Sequence, residues 1–215
     1  MTAALPMAAA PQRAGVSAAR RGPARLGARL RGFARASRGT TAVEFGLLAA
    51  PLLALVGATV ESGVTYWAQE TLQQAVADAG RQIYTGRFQT ANAATRGSTN
   101  LLNAFRTEMC RARFTLFTCA NVRISISQVD GFANAALAKP TQVDPTTKVS
   151  DWNPSFARYD CGRSNAVMVI QAAVDFPVTF TLLNAGVATL PSRRRVLQAA
   201  TVFQVEPFDS TPVCS

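Results

Sequence analysis

The sequence predicts an α+β fold: one long N-terminal helix, half membrane-spanning and half amphipathic, followed by a small domain on an antiparallel sheet. Three observations lead there. Thr40 to Val60 is an apolar run of twenty-one residues whose only charge is Glu44. At about 1.5 Å per helical residue, that run matches a hydrocarbon core of about 30 Å. Beyond it, Leu72, Val76, Ala79 and Ile83 recur at helical spacing among Gln, Asp and Arg, the mark of a helix with one buried face. Further on, Val122, Ile124 and Ile126 alternate with Arg123, Ser125 and Ser127, and Leu197, Ala199, Thr201, Phe203 and Val205 alternate in the same way. Alternation of period two belongs to half-exposed strands.

The chain divides into a basic leader (1–39), the long helix (40–87) with its transmembrane half (40–60), and an α+β domain (88–215). The leader is rich in Ala, Arg, Gly and Pro, builds no hydrophobic face, and is expected to be disordered or to cling to anionic lipid. It carries eight arginines and no acid, so most of the chain's net charge of +10 lies there and the remainder is near neutral. That distribution speaks against nucleic acid. A basic flank before an apolar span is instead a topology signal, placing the N-terminus in the cytoplasm and the C-terminal domain outside it. An organellar transit peptide shares the Arg-rich, acid-free start, and a secretory signal peptide shares the apolar run. The first leaves Gly39 and Glu44 unexplained; the second fits neither the length of the run nor its end at Gly57-Ala58-Thr59-Val60-Glu61.

The helix is read from Thr40 to about Tyr84. Pro51 removes one backbone donor, which membrane helices tolerate when neighbours satisfy the freed carbonyl. Tyr66-Trp67 stand where an aromatic belt lies, and Gly86 is a stop. In the domain, Ser98 is a candidate N-cap for a short helix with the apolar stripe Leu101, Leu102, Phe105 and Met109. Ala166 to Val174 reads as a buried strand, and 131–165, with Pro140, Pro145 and Pro154, as a long loop. The apolar Phe176–Leu190 is too short and too interrupted to be a second span.

Four cysteines, Cys110, Cys119, Cys161 and Cys214, all follow the span. An even count outside the cytoplasm points to two disulfides, with three connectivities open. Cys110 and Cys119 enclose a short segment beside a helix end and are expected to pair, leaving Cys161 with Cys214. A metal centre is not expected, because the chain has no C-x-x-C and no His. Asp144, Asp151, Asp160 and Asp175 read as solvated loop acids, Arg193-Arg194-Arg195 as a solvated turn, and Trp152 and Tyr159 as loop anchors. No nucleophile–base pair is evident, so neither catalysis nor a cofactor is expected.

Two features of the span carry function. Glu44 is a carboxylate in an apolar helix; such groups usually have a partner and a purpose, and its position alone equally allows a solvated Glu at the cytoplasmic headgroups. Ala42, Gly46, Ala50, Ala54, Ala58 and Ser62, each four residues after the last, form a stripe of small side chains that lets helices approach closely in lipid.

The stretch Arg38-Gly39-Thr40-Thr41-Ala42-Val43-Glu44-Phe45, basic leader before it and apolar helix after it, resembles the class III prepilin signal of type IV pilins and pseudopilins. With Ala49-Ala50-Pro51-Leu52-Leu53 and Glu61-Ser62-Gly63, it is similar in particular to the TadE-like pseudopilins of the tight-adherence (Flp) pilus system. The strong resemblance runs from Arg38 to Arg87; a weaker one continues through Cys110, Cys119 and Phe203–Phe208. It implies a pilin-like fold and cleavage between Gly39 and Thr40 by a membrane aspartic prepilin peptidase. It also implies a Glu44 that neutralises the amino terminus of a neighbouring subunit, with Phe45 beside it. The implied partners are other pilin or pseudopilin subunits, the inner-membrane assembly platform and membrane lipid. The leader is long for a prepilin, and Met7 is a second candidate initiator. Phe45 stands where the major Flp pilins carry Tyr, which argues for a minor subunit. The competing reading is a signal-anchored extracytoplasmic binding module that never enters a pilus.

Gly39→Leu is expected to block processing and to leave a precursor about 4 kDa heavier, at roughly 110 Da per residue. Intact mass of protein from pilus-competent cells checks this; residues 1–39 still attached to the unmutated protein would contradict it.

Overall fold

The computed structural model describes residues 39–111, 115–179 and 188–207. Cys214 lies outside them. Two units are distinguished, one up to Ala49 and one from Ala50 onward.

Helix α1 runs from Thr40 to Tyr84. It stops where Gly86 takes a left-handed backbone (φ 71°), with the Thr85 and Gly86 N–H groups donating to the Arg81 and Ile83 carbonyls. A short helix α2 (Arg87–Ala91) leads to α3 (Ser98–Cys110). The cap of α3 is Gly97, not Ser98: Gly97 adopts φ 85°, a backbone that favours glycine, so helical geometry begins one residue earlier and Ser98 is its first residue. Leu101, Leu102, Phe105 and Met109 of α3 are all buried.

A three-stranded antiparallel sheet has the order β1 (Arg123–Val129), β4 (Val167–Pro177), β5 (Arg194–Gln204). Its central strand β4 is buried on both faces. Met168, Ile170, Ala172 and Val174 share one core with Leu72, Val76, Ala79 and Ile83 of α1, Phe105 and Met109 of α3, and Leu197 and Ala199 of β5. At Gly80 α1 comes close to the sheet: a Cβ there would lie 3.1 Å from Thr201 Cγ2 and 3.2 Å from Phe203 Cε1.

On the opposite face, Gln171 is buried and pairs with both backbone groups of Ala138. The Ala138 N–H donates to Oε1 (2.9 Å) and Nε2 donates to the Ala138 carbonyl (3.1 Å). The segment expected to be one long loop is therefore a covering layer. It contains a small hairpin, β2 (Thr141–Val143) with β3 (Ser150–Trp152), turned by Asp144. Thr146 and Thr147 N–H groups donate to the Asp144 carboxylate and lower its pKa. The Arg123 guanidinium sits 4.6 Å from the Trp152 ring centre.

Both edges of the sheet are covered in part. Along β1, the Ile126 N–H donates to the Arg158 carbonyl and the Asp160 N–H to the Ile126 carbonyl. Asp160 also accepts from the Gln128 N–H and pairs with Arg158. Along β5 the work is done by α1: Gln69 donates to the Gln198 carbonyl, and Gln73 both donates to the Ala200 carbonyl and accepts its N–H. Four helical residues advance about 6 Å and two strand residues about 6.7 Å, so side chains one helical turn apart meet successive outward-facing backbone groups. A covered edge is a poorer template for a foreign strand.

Cys110, the last residue of α3, is bonded to Cys119 across nine residues of sequence. Cys161 is also disulfide-bonded; Cys214, its expected partner, lies outside the described residues. Arg194 and Arg195 are not a solvated turn but open β5, and Asp175, expected as a loop acid, is ion-paired with Arg194. Tyr159 is packed beside Phe88, and burial pushes its phenol up to about 12.

Two outcomes test this packing. Gly80→Leu forces a side chain between α1 and β5 and is expected to cost about 1–3 kcal/mol by overpacking; denaturant unfolding of the detergent-solubilised protein with an unchanged midpoint would contradict it. Replacing both Cys110 and Cys119 by Ala should cost about 2–4 kcal/mol. Non-reduced peptide mapping should join these two residues, and four free thiols would contradict the assignment.

Candidate functional site

The candidate site is the first half of α1. Its chemistry is set by what its side chains face. Val43, Phe45, Leu47, Leu48, Leu52, Leu53, Leu55, Val56 and Val60 are all exposed, Phe45 to 75% and Val60 to 60%. Exposed apolar side chains in such density are far outside what an aqueous surface carries. The helix is long and apolar enough to cross a membrane, with a mean hydropathy of 1.9 over its most apolar window. It fits a single-pass anchor.

In this setting Glu44 is exposed and, among the described residues, makes no ion pair or side-chain hydrogen bond. Thr40 opens the helix, so residue 40 and Glu44 are one turn apart on the same face. Gly39 immediately precedes, exposed, and a Cβ there would meet no other atom within 4 Å. The small-residue row is equally open at its start: Gly46 and Ala50 are exposed, whereas Ala54 and Ala58 are half-buried. The cysteines are not part of this site; they staple the domain.

The surface of α1 changes at Glu61, the first buried residue of the helix, 8% exposed. Its carboxylate accepts the Thr179 N–H at 2.7 Å, and its carbonyl accepts the Thr65 hydroxyl at 2.8 Å. From there Ala68, Leu72, Ala75, Val76 and Ala79 enter the core. Tyr66 and Trp67 remain exposed just beyond, where the aromatic belt was expected. Sequence reasoning gave no separate role to Glu61, Gln69 or Gln73. The signal for the two glutamines is their spacing of four on a helix that otherwise carries an apolar stripe.

Residues 39–81 match the family model described as TadE-like protein. No curated protein and no solved structure matches the chain. The matched stretch opens at Gly39, takes in Glu44, Phe45, the small-residue row and Glu61, and ends inside the amphipathic half of α1. It covers the anchor and its entry into the core, while the sheet domain lies outside it. From Gly39 to Arg81 the chain is therefore similar to TadE-like protein.

Proposed function

We propose that the chain is a minor pseudopilin acting in assembly of tight-adherence (Flp) pili, and through them in cell adhesion, without catalysis of its own. A prepilin peptidase in the bacterial inner membrane removes residues 1–39. The mature protein is held by Thr40–Val60 as a single pass, with its N-terminus at the cytoplasmic side and the sheet domain in the periplasm. The basic leader supports this orientation through the positive-inside rule, and the Cys110–Cys119 bond supports an oxidising compartment.

The observation that carries the reading is Glu44, an exposed carboxylate on an apolar helix, one turn from the residue that cleavage would make the amino terminus. In lipid, an ammonium and a carboxylate each carry a cost that falls when they meet. Pairing between neighbouring subunits makes that relief conditional on correct docking. Partner helices then approach along Gly46, Ala50, Ala54 and Ala58, where small side chains let backbones come close. Other pilin subunits and the inner-membrane platform are the partners, and membrane lipid surrounds the remaining faces.

Glu44→Gln separates assembly from anchoring. The substitution keeps shape and removes a charge, so insertion is expected to persist or improve. The neighbouring ammonium loses its partner, at a cost of several kcal/mol when fully buried and less at an interface. Piliation and crosslinking to pilin partners should therefore fail in cells carrying only the Gln variant. Normal surface piliation in those cells would leave Glu44 a solvated interfacial residue and favour a signal-anchored binding module.

A further inference from the structure

Arg193 and Arg195 stand at one end of the sheet, and two independent observations fix which end. The Thr179 N–H donates to the Glu61 carboxylate at 2.7 Å, while the preceding Val178 N–H donates to the Arg193 carbonyl at 2.8 Å. Arg193 is thereby tied to the level at which α1 leaves its apolar run. The glutamine ladder points the same way: Gln73 meets Ala200 and Gln69 meets Gln198, so helix and strand run parallel here and the start of β5 lies toward the Glu61 end of α1. The turn before β5 is held by two successive left-handed residues, Ser192 (φ 60°) and Arg193 (φ 56°), with Arg193 exposed.

The charges at this level do not cancel. Asp175 is taken up by Arg194, and the Glu61 carboxylate is buried under the Thr179 N–H. Arg193 and Arg195 make no ion pair among the described residues. The next carboxylate along α1, Glu70, lies roughly 13 Å farther on at 1.5 Å per residue. If the apolar run fills the hydrocarbon core to Val60, the headgroup layer occupies roughly the following 5–8 Å. Arg193 is tied to that level by its backbone, and Arg195, half-buried, is the second residue of β5.

We propose that Arg193 and Arg195 form a docking surface for anionic lipid headgroups, the phosphates of the bilayer that α1 crosses. Planar guanidinium groups match phosphate oxygens in geometry as well as charge. The effect is to hold the sheet domain down on the membrane at the β4–β5 end, beside the helix exit. The proposal rests on anchoring by α1 and is independent of assembly into a pilus.

Hydrogen exchange of the full chain in lipid nanodiscs tests it, read over residues 188–196. Discs of phosphatidylcholine alone are compared with discs that also contain phosphatidylglycerol. The anionic lipid is expected to slow exchange in this stretch, each arginine contributing about a fivefold factor, equivalent to ~1 kcal/mol. The Arg193→Gln, Arg195→Gln double variant should lose the slowing while β4 and the core half of α1 exchange as before; Arg194 is left intact to hold Asp175. Equal exchange in both discs, or slowing that survives the double variant, would overturn the proposal. Inorganic phosphate added to phosphatidylcholine discs should change nothing, and protection equal to that by phosphatidylglycerol would make this an ion site instead. Failure of the protein to float with the discs would remove the anchoring itself.

Discussion

A helix whose first half is apolar apart from Glu44 and whose second half is amphipathic must change its surface chemistry at a definite place, and in this chain the place is Glu61. Up to Val60 the large side chains point outward with nothing of their own domain over them. From Glu61 onward one face is covered by the sheet. A buried carboxylate at that point is costly unless hydrogen-bonded, and the Thr179 N–H at the end of β4 supplies a bond. The domain is thus docked to the helix from the first residue past the apolar run, with no linker between anchor and core.

The docking continues by a different device. α1 reaches the outer edge of β5 with glutamine side chains, which bond the Gln198 carbonyl and both backbone groups of Ala200. This covers part of the edge that a three-stranded sheet would otherwise expose, while Gly80 lets the two elements approach without a Cβ between them. On the far edge the Arg158–Asp160 stretch does the same for β1.

Much of this was legible in the sequence because it follows from periodicity. The apolar run, the stripe Leu72, Val76, Ala79, Ile83, and the two alternating strands each repeat a pattern fixed by a single element's geometry. The stop at Gly86 was legible because only a left-handed backbone was wanted there. The hairpin at Thr141–Val143 and Ser150–Trp152 was not, since three-residue strands are too short to show alternation. The role of Gln171 was also hidden: one glutamine in a run of apolar residues says nothing of the loop carbonyl it meets. Arg193-Arg194-Arg195 looked like a solvated turn because its strand begins in mid-run, with Arg194 opposite Pro177 and Arg195 opposite Phe176 in a register that only the fold reveals. Glu44 stood out as a single charge in a long apolar stretch.

The change of surroundings along α1 can be measured directly in the full-length protein reconstituted in bilayers. Single spin labels at Leu52, Val56, Gln74 and Ala77, all exposed positions of the helix, are compared for collision with molecular oxygen and with a water-soluble nickel chelate. Oxygen should dominate at Leu52 and Val56 and the nickel chelate at Gln74 and Ala77, with the crossover in the turns just past Val60. Dominance of the nickel chelate at Leu52 and Val56 would place the apolar half of the helix in water and contradict the account.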